Sequence, residues 1–230
     1  MATTHFARTG SCLFLLLLCL LASCGNDGKQ EDTTPLTQTD AMEAVQEEPL
    51  RTKAPAVADT ANFQEAFNQF FSALQAGDTA ALNSFVAEKA GVWLIEQPGA
   101  VPAYTHFSSI QAVKRSYRQL PFTSINQQVQ QCQLQQRQTL PSFDCANMDQ
   151  GSTGFAEDGC FYTTATEDFR NTDMWKYASL TKEQATQVQQ LQQQVDVTVL
   201  HTASSYRFHF GYRNGRWHLL FADLRVPCSA

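Results

Sequence analysis

The stretch SSYRFHFGYRNGRWHLLFADLR, Ser204–Arg225, decides the fold. At its centre, Asn214-Gly215 is a preferred pair for a two-residue type I′ hairpin, because both positions need φ > 0 and these residues tolerate it. That turn predicts a register in which Tyr212 faces Trp217, Phe210 faces Leu219, Phe208 faces Phe221 and Tyr206 faces Asp223. Side chains alternate along a strand, so this register collects one aromatic face for helices to bury. Arg207, His209, His218 and Leu220 fall on the opposite face. Just upstream, Val195, Val197 and Val199 alternate with polar residues and add another strand.

Helices to cover that face are expected near the start of the folded part, about Thr60. Phe63, Ala66, Phe67, Phe70, Phe71 and Leu74 recur at helical spacing. Asn62 with Glu65 predicts a capping box, and Gly77 a stop. Asp78 caps a second helix, Thr79 to about Glu88, burying Leu82, Phe85 and Val86. The β-rich run Gly91 to Glu96, the turn at Pro98-Gly99 and the return Val101 to Phe107 read as a strand pair. Ser108 and Gln111 predict a further helix with Ile110, Val113 and Tyr117 facing inward.

The middle carries mixed signals. Phe122 to Gln138 reads as strand by the alternation Cys132, Leu134 and as helix by Ile125, Val129, Cys132; strand is preferred. Asp144 to Gly159 reads as a loop and Cys160 to Thr166 as a strand. Ser179 or Thr181 starts a Gln-rich helix through about Gln194, with Ala185, Val188 and Leu191 its apolar members.

The first residues have a separate purpose. Met1 to Gly10 is polar with Arg8, Ser11 to Leu21 is almost wholly apolar, and Leu21-Ala22-Ser23-Cys24 follows. The apolar run is short for a bilayer span, which takes ~20 residues. The sequence resembles the signal peptide and lipobox of bacterial lipoproteins. That resemblance implies a signal peptide at 1–23 and lipid on Cys24, an anchor made effectively permanent by ~0.8 kcal/mol per buried methylene. Gly25 stands where an Asp would favour the inner membrane, so the expected location is the outer membrane, on its periplasmic face or the cell surface. Lys29-Gln30-Glu31-Asp32 resembles acidic surface-export signals. Residues 24–59 lack apolar periodicity, are punctuated by Pro35, Pro49 and Pro55, and read as a flexible tether to a domain at 60–230.

The net charge of −6 and the lack of a basic stripe exclude nucleic acid as the expected partner. Beyond the leader and Cys24, the cysteines are Cys132, Cys145, Cys160 and Cys228. An even set in an exported chain implies disulfides. The turn-rich segment between Cys145 and Cys160 favours that pair, leaving Cys132 with Cys228. No CxxC spacing supports zinc.

The order helix, short helix, strand pair, helix and long antiparallel sheet resembles the nuclear-transport-factor-2-like, or SnoaL-like, superfamily. The residues that carry it are Phe67-x-x-Phe70-Phe71-x-Ala73-Leu74-x-Ala76-Gly77-Asp78-x-x-Ala81-Leu82 and the final strand Gly215-Arg216-Trp217 to Phe221. The resemblance implies an α+β fold: a strongly bent antiparallel sheet wrapped on N-terminal helices, cone-like as in cystatin-like folds, here with an insertion in the middle. It also implies a conical pocket, in a family that holds dehydratases, isomerases, cyclases and noncatalytic binding modules.

Acid–base chemistry in such a pocket would use a His and an Asp. The candidates are His106, His201 and Asp223, none matched to a family catalytic motif. Trp93, Tyr104, Tyr206 and Asp223 are the expected ligand contacts, with Phe107, Trp175, Tyr177 and Trp217 as further candidate pocket aromatics. His209 and His218 lack a third metal ligand and have Arg207 beside them, so no metal or other cofactor is expected. The resulting expectation is an envelope lipoprotein that binds a small apolar ligand or a protein partner without catalysis. The alternatives are a hydrolyase or isomerase with a pocket His/Asp pair, and a structural envelope component.

Overall fold

The Asn214-Gly215 turn forms as the residue pair dictates, with φ of 53° and 77°, and joins strands β6 (Tyr206–Arg213) and β7 (Arg216–Asp223). The computed structural model describes residues 62–130, 133–148 and 151–228. The signal peptide, the tether, Cys24 and Cys132 lie outside the described residues.

From the turn outward the register is as expected for Tyr212↔Trp217 and Phe210↔Leu219, and then it shifts. His209 pairs with Phe221, Phe208 with Ala222 and Arg207 with Asp223. Leu220 is the extra residue of a β-bulge. The expected pairs Phe208–Phe221 and Tyr206–Asp223 therefore do not form. Opposed residues share a face, so the bulge moves Phe221 and Asp223 to the side of Arg207 and His209.

The remaining strands are β1 (Val92–Glu96), β2 (Ala103–Phe107), β3 (Leu134–Gln136), β4 (Cys160–Thr163) and β5 (Val197–His201). They form one seven-stranded sheet in the order β2-β1-β7-β6-β5-β4-β3. The expected all-antiparallel sheet is corrected to a mixed one: β1 runs parallel to β7, and β3 parallel to β4. A parallel pair needs a long crossover, and the chain between each pair supplies it.

Helix α1 (Phe63–Ala76) buries Phe63, Phe67, Phe70 and Leu74 on one sheet face. Phe63 meets Phe210 and Trp217 edge-on at 5.4 and 4.7 Å between ring centroids, and Phe70 meets Phe208 at 5.5 Å. Burial contributes roughly 1.5–3 kcal/mol per such side chain. Gly77 ends α1 at φ 65° with its N–H on the Ala73 and Leu74 carbonyls, a geometry that favours glycine. Asp78 accepts from the Ala81 N–H to cap α2 (Thr79–Asn83), which stops short of the expected Glu88. The Asn62 capping box does not form, because Asn62 is already helical in φ and ψ. The helix expected after Ser108 is replaced by turns; Ile110 and Val113 are buried but Tyr117 is exposed.

The middle of the chain serves both faces: Phe122, Ile125, Val129 and Leu134 join the core beneath α1, and the part from Glu167 to Val195 covers the other face. It splits into a 3-10 turn at Phe122–Ile125, strand β3, a 3-10 turn at Cys145–Asn147, strand β4, helix α3 (Glu167–Arg170), a 3-10 turn at Met174–Tyr177 and helix α4 (Lys182–Gln192). Thr181 and Gln184 form a reciprocal capping box at α4. Val188, Leu191, Val195 and Phe169 pack on Trp93, Ile95, Leu220 and Phe221. Both faces of the central strands are thus buried, not only the one expected.

Cys145 is bonded to Cys228, which corrects both expected pairings, Cys145–Cys160 and Cys132–Cys228. Cys160 instead opens β4, opposite Leu134 of β3, and is disulfide-bonded to a partner outside the described residues.

Candidate binding cleft

The bulge and the layer over the second face together create a cleft of about 390 Å³. Strands β6 and β7 contribute Arg207, His209 and Asp223; β5 contributes Thr198; the segment after β7 contributes Arg225. Phe169 of α3, Met174 and the loop residues Leu140 and Pro141 form apolar walls, and Glu167 and Asp168 stand exposed at the rim.

Asp223 is nearly fully buried, and its carboxylate is taken by one partner. Arg225 donates from Nε to Oδ1 at 2.8 Å and from Nη2 to Oδ2 at 2.6 Å, a two-pronged pair. The Arg225 backbone N–H adds a third bond to Oδ1 at 3.2 Å. This contact raises the Arg225 pKa against the opposing effect of its burial. Arg225 also reaches the Met174 sulfur at 2.8 Å.

His209 is buried beneath Phe169, whose ring stacks on it at 3.5 Å and 15°. Its Nδ1 shares a hydrogen bond with Thr198 Oγ1 at 2.9 Å, and Nε2 is buried without a partner. Burial pulls its pKa down to about 3, against the pull of the Asp223 charge. His209 is therefore neutral at physiological pH. Tyr104 lies near Arg225 and Asp223; burial pushes its hydroxyl up to about 12, and that hydroxyl has no hydrogen-bond partner.

Arg207 stands directly across from Asp223 in the strand pairing, yet the two make no ion pair. Its guanidinium carbon lies 6.0 Å from the Phe155 ring centroid, the outer limit for a cation–π contact. Burial pulls its pKa down.

The three candidates for acid–base chemistry are not brought together. His106 is exposed on β2, with Nε2 at 2.9 Å from the Ala90 carbonyl and its ring against Trp93. His201 ends β5, bonded to Ser204 Oγ at 2.7 Å and the Gln130 carbonyl at 3.1 Å; burial lowers its pKa. Asp223 sits in the cleft. Of the expected ligand contacts, Trp93 and Tyr104 are buried in the layer beneath α4, and Tyr206 packs on the α1 side with its hydroxyl donating to Gln128 Oε1 at 2.9 Å. The space between α1 and the sheet, where a conical pocket was expected, is packed with Phe63, Phe67, Phe70, Phe208, Phe210 and Trp217.

Among the cleft residues that sequence reasoning missed are Arg225, Thr198 and Phe169. Asp223 and Arg225 are two apart on an extended segment, a spacing that puts them on one face and was a usable signal. Nothing in the sequence flagged Phe169, which reaches His209 from a four-residue helix. No family model, curated protein or solved structure matches the chain.

Proposed function

We propose that this chain is a lipid-anchored envelope lipoprotein whose folded part is a noncatalytic binding module for a small, largely apolar ligand. The cleft between α3 and the β5–β6–β7 face is its ligand site. The observation that carries this reading is the state of the cleft's ionisable groups. Both Asp223 oxygens are engaged by Arg225, and His209 is held neutral, stacked and tied to Thr198. A hydrolyase or isomerase needs a base and an acid free to exchange protons with substrate. A fixed lining beside apolar walls suits recognition better, and the cleft volume of about 390 Å³ lies within the ~300–1,000 Å³ range of small-molecule sites.

Anchoring rests on Leu21-Ala22-Ser23-Cys24, and the Cys145–Cys228 bond supports an oxidising compartment such as the envelope. Kinship with the nuclear-transport-factor-2-like superfamily, including a bent, cone-like sheet, is supported by the α1–Gly77–Asp78–α2 opening and the closing strand β7. The ring-filled interior beneath α1 favours a second reading, a structural envelope component.

Labelled palmitate should enter the full chain and not the Cys24→Ser variant; equal membrane retention of both would remove the anchor. Native mass spectrometry of the full chain from its host envelope should show a retained small molecule. A bare protein mass, with no thermal stabilisation by a panel of small apolar acids, amides and alcohols, would leave the structural reading in place.

A further inference from the structure

We infer that the cleft takes a monocarboxylate with an apolar body, and that Arg207 is the residue that holds its carboxylate. This rests on the cleft being the ligand site, and it goes further by naming the chemical class.

Three charged side chains meet at the floor of the cleft: Arg207, Asp223 and Arg225. Arg225 satisfies both oxygens of Asp223, which leaves that pair neutral. His209 adds no charge, because burial keeps it unprotonated. Arg207 is left as an uncompensated cation, half-buried, with no hydrogen bond or ion pair among the described residues. A guanidinium carries five N–H donors in a planar fork, and withdrawing it from water without a partner is unfavourable. A carboxylate matches that fork with two parallel hydrogen bonds. The strand pairing brings Asp223 opposite Arg207, but the occupied oxygens of Asp223 cannot supply that match.

The rim decides between one negative charge and two. Glu167 and Asp168 are exposed on the lining and make no ion pair among the described residues. They repel a dianion such as a phosphate monoester more than a singly charged carboxylate. The walls decide what the carboxylate is attached to: Leu140, Pro141, Phe169 and Met174 offer apolar surface to a chain or ring.

The test is calorimetric titration of the full chain at pH 7 with 3-phenylpropanoate, 3-phenylpropanamide and 2-phenylethyl phosphate. The acid and the amide share a body and differ in charge. The acid should bind about tenfold tighter than the amide or better, a gap of about 1.4 kcal/mol, and tighter than the phosphate. Arg207→Gln should abolish the preference by weakening the acid while leaving the amide within about twofold, and Arg207→Lys should keep part of it. The acid–amide comparison on the unaltered chain needs no variant to fold. Equal binding of acid and amide would overturn the role of Arg207 while leaving the cleft a binding site. Tighter binding of the phosphate would overturn the monocarboxylate class. No binding by any of the three would overturn the cleft itself as the ligand site, and this inference with it.

Discussion

His209 shows how much a single buried side chain can set. Its folded pKa of about 3 lies below the ~6.5 of the unfolded chain. Between those values the unfolded state binds the extra proton, so stability rises with pH through this window and is lost as pH falls. The loss attributable to His209 should approach ~1.4 kcal/mol per pH unit below about 6.5. Urea denaturation at stepped pH should show a steep slope from about 6 to 4 that is shallower in His209→Phe. His201 and His218 are lowered in the same direction and will leave a residual slope in that variant. Asp223 gives a second residue-scale prediction. Asp223→Asn leaves the Arg225 guanidinium short of its charged partner in a site where that side chain is 18% exposed. The expected loss is about 2 kcal/mol. Adding Arg225→Gln should recover part of it, since the double variant leaves no orphaned charge, and a double-mutant cycle by equilibrium denaturation would report the recovery.

At the scale of elements, the bulge in β7 fixes what the second sheet face contains. Leu219 and Leu220 are both apolar and adjacent, so either can serve as the inward residue, and the pattern on each side of the bulge is locally consistent. A turn dictates register only as far as the ladder stays regular. That is why Tyr212↔Trp217 and Phe210↔Leu219 were legible and the position of Asp223 was not. Gly211 belongs to the same local device. A Cβ there would lie 2.5 Å from the Gln194 carbonyl oxygen and 2.8 Å from Leu220 Cδ1. The connection from α4 into β5 presses against the strand at this point, with Arg213 Nη2 donating to the Gln194 carbonyl and the Tyr212 N–H to Asp196. Gly211→Ala should therefore destabilise by about 2 kcal/mol through overpacking, measured as a shift in urea midpoint with unchanged m-value. By contrast, the span and buried face of α1 were readable, though not its N-cap, because aromatic residues at helical spacing and a Gly-Asp break admit few alternatives. The segment Phe122–Gln138 was not, since its glutamines suit strand, helix or turn equally and its structure is set by what it lies on.

For the whole molecule, Cys145–Cys228 is a covalent constraint that spans 83 residues of sequence. It joins the exposed 3-10 turn at Cys145–Asn147 to the segment that follows β7. Closing a loop of that length in the unfolded chain should contribute about 4 kcal/mol. The paired variant Cys145→Ser with Cys228→Ser should show that loss by denaturation, and reductant, which also opens the Cys160 disulfide, should lower the unaltered protein at least as far. The two-sided burial of the central strands explains why the sequence pointed to one helical layer only. The alternation Val195, Val197, Val199 predicts one apolar face, but only Val197 and Val199 lie in β5 and face α1; Val195 precedes the strand and joins Phe169, Val188 and Leu191, scattered residues from separate elements that seal the opposite face.

The parallel pairing of β1 with β7 imposes an order of events on synthesis. Val92–Glu96 is buried along its whole length, and one of its flanks belongs to Trp93↔Phe221 and its neighbours, which are made more than a hundred residues later. Until those last residues arrive, the β1–β2 hairpin carries an apolar ribbon with one open edge, the kind of surface that invites aggregation. Contacts so distant along the chain also form slowly. A polypeptide interrupted anywhere before Arg216 would lack the strand that seals this edge, so completeness of translation becomes a condition for burial of its earliest strand.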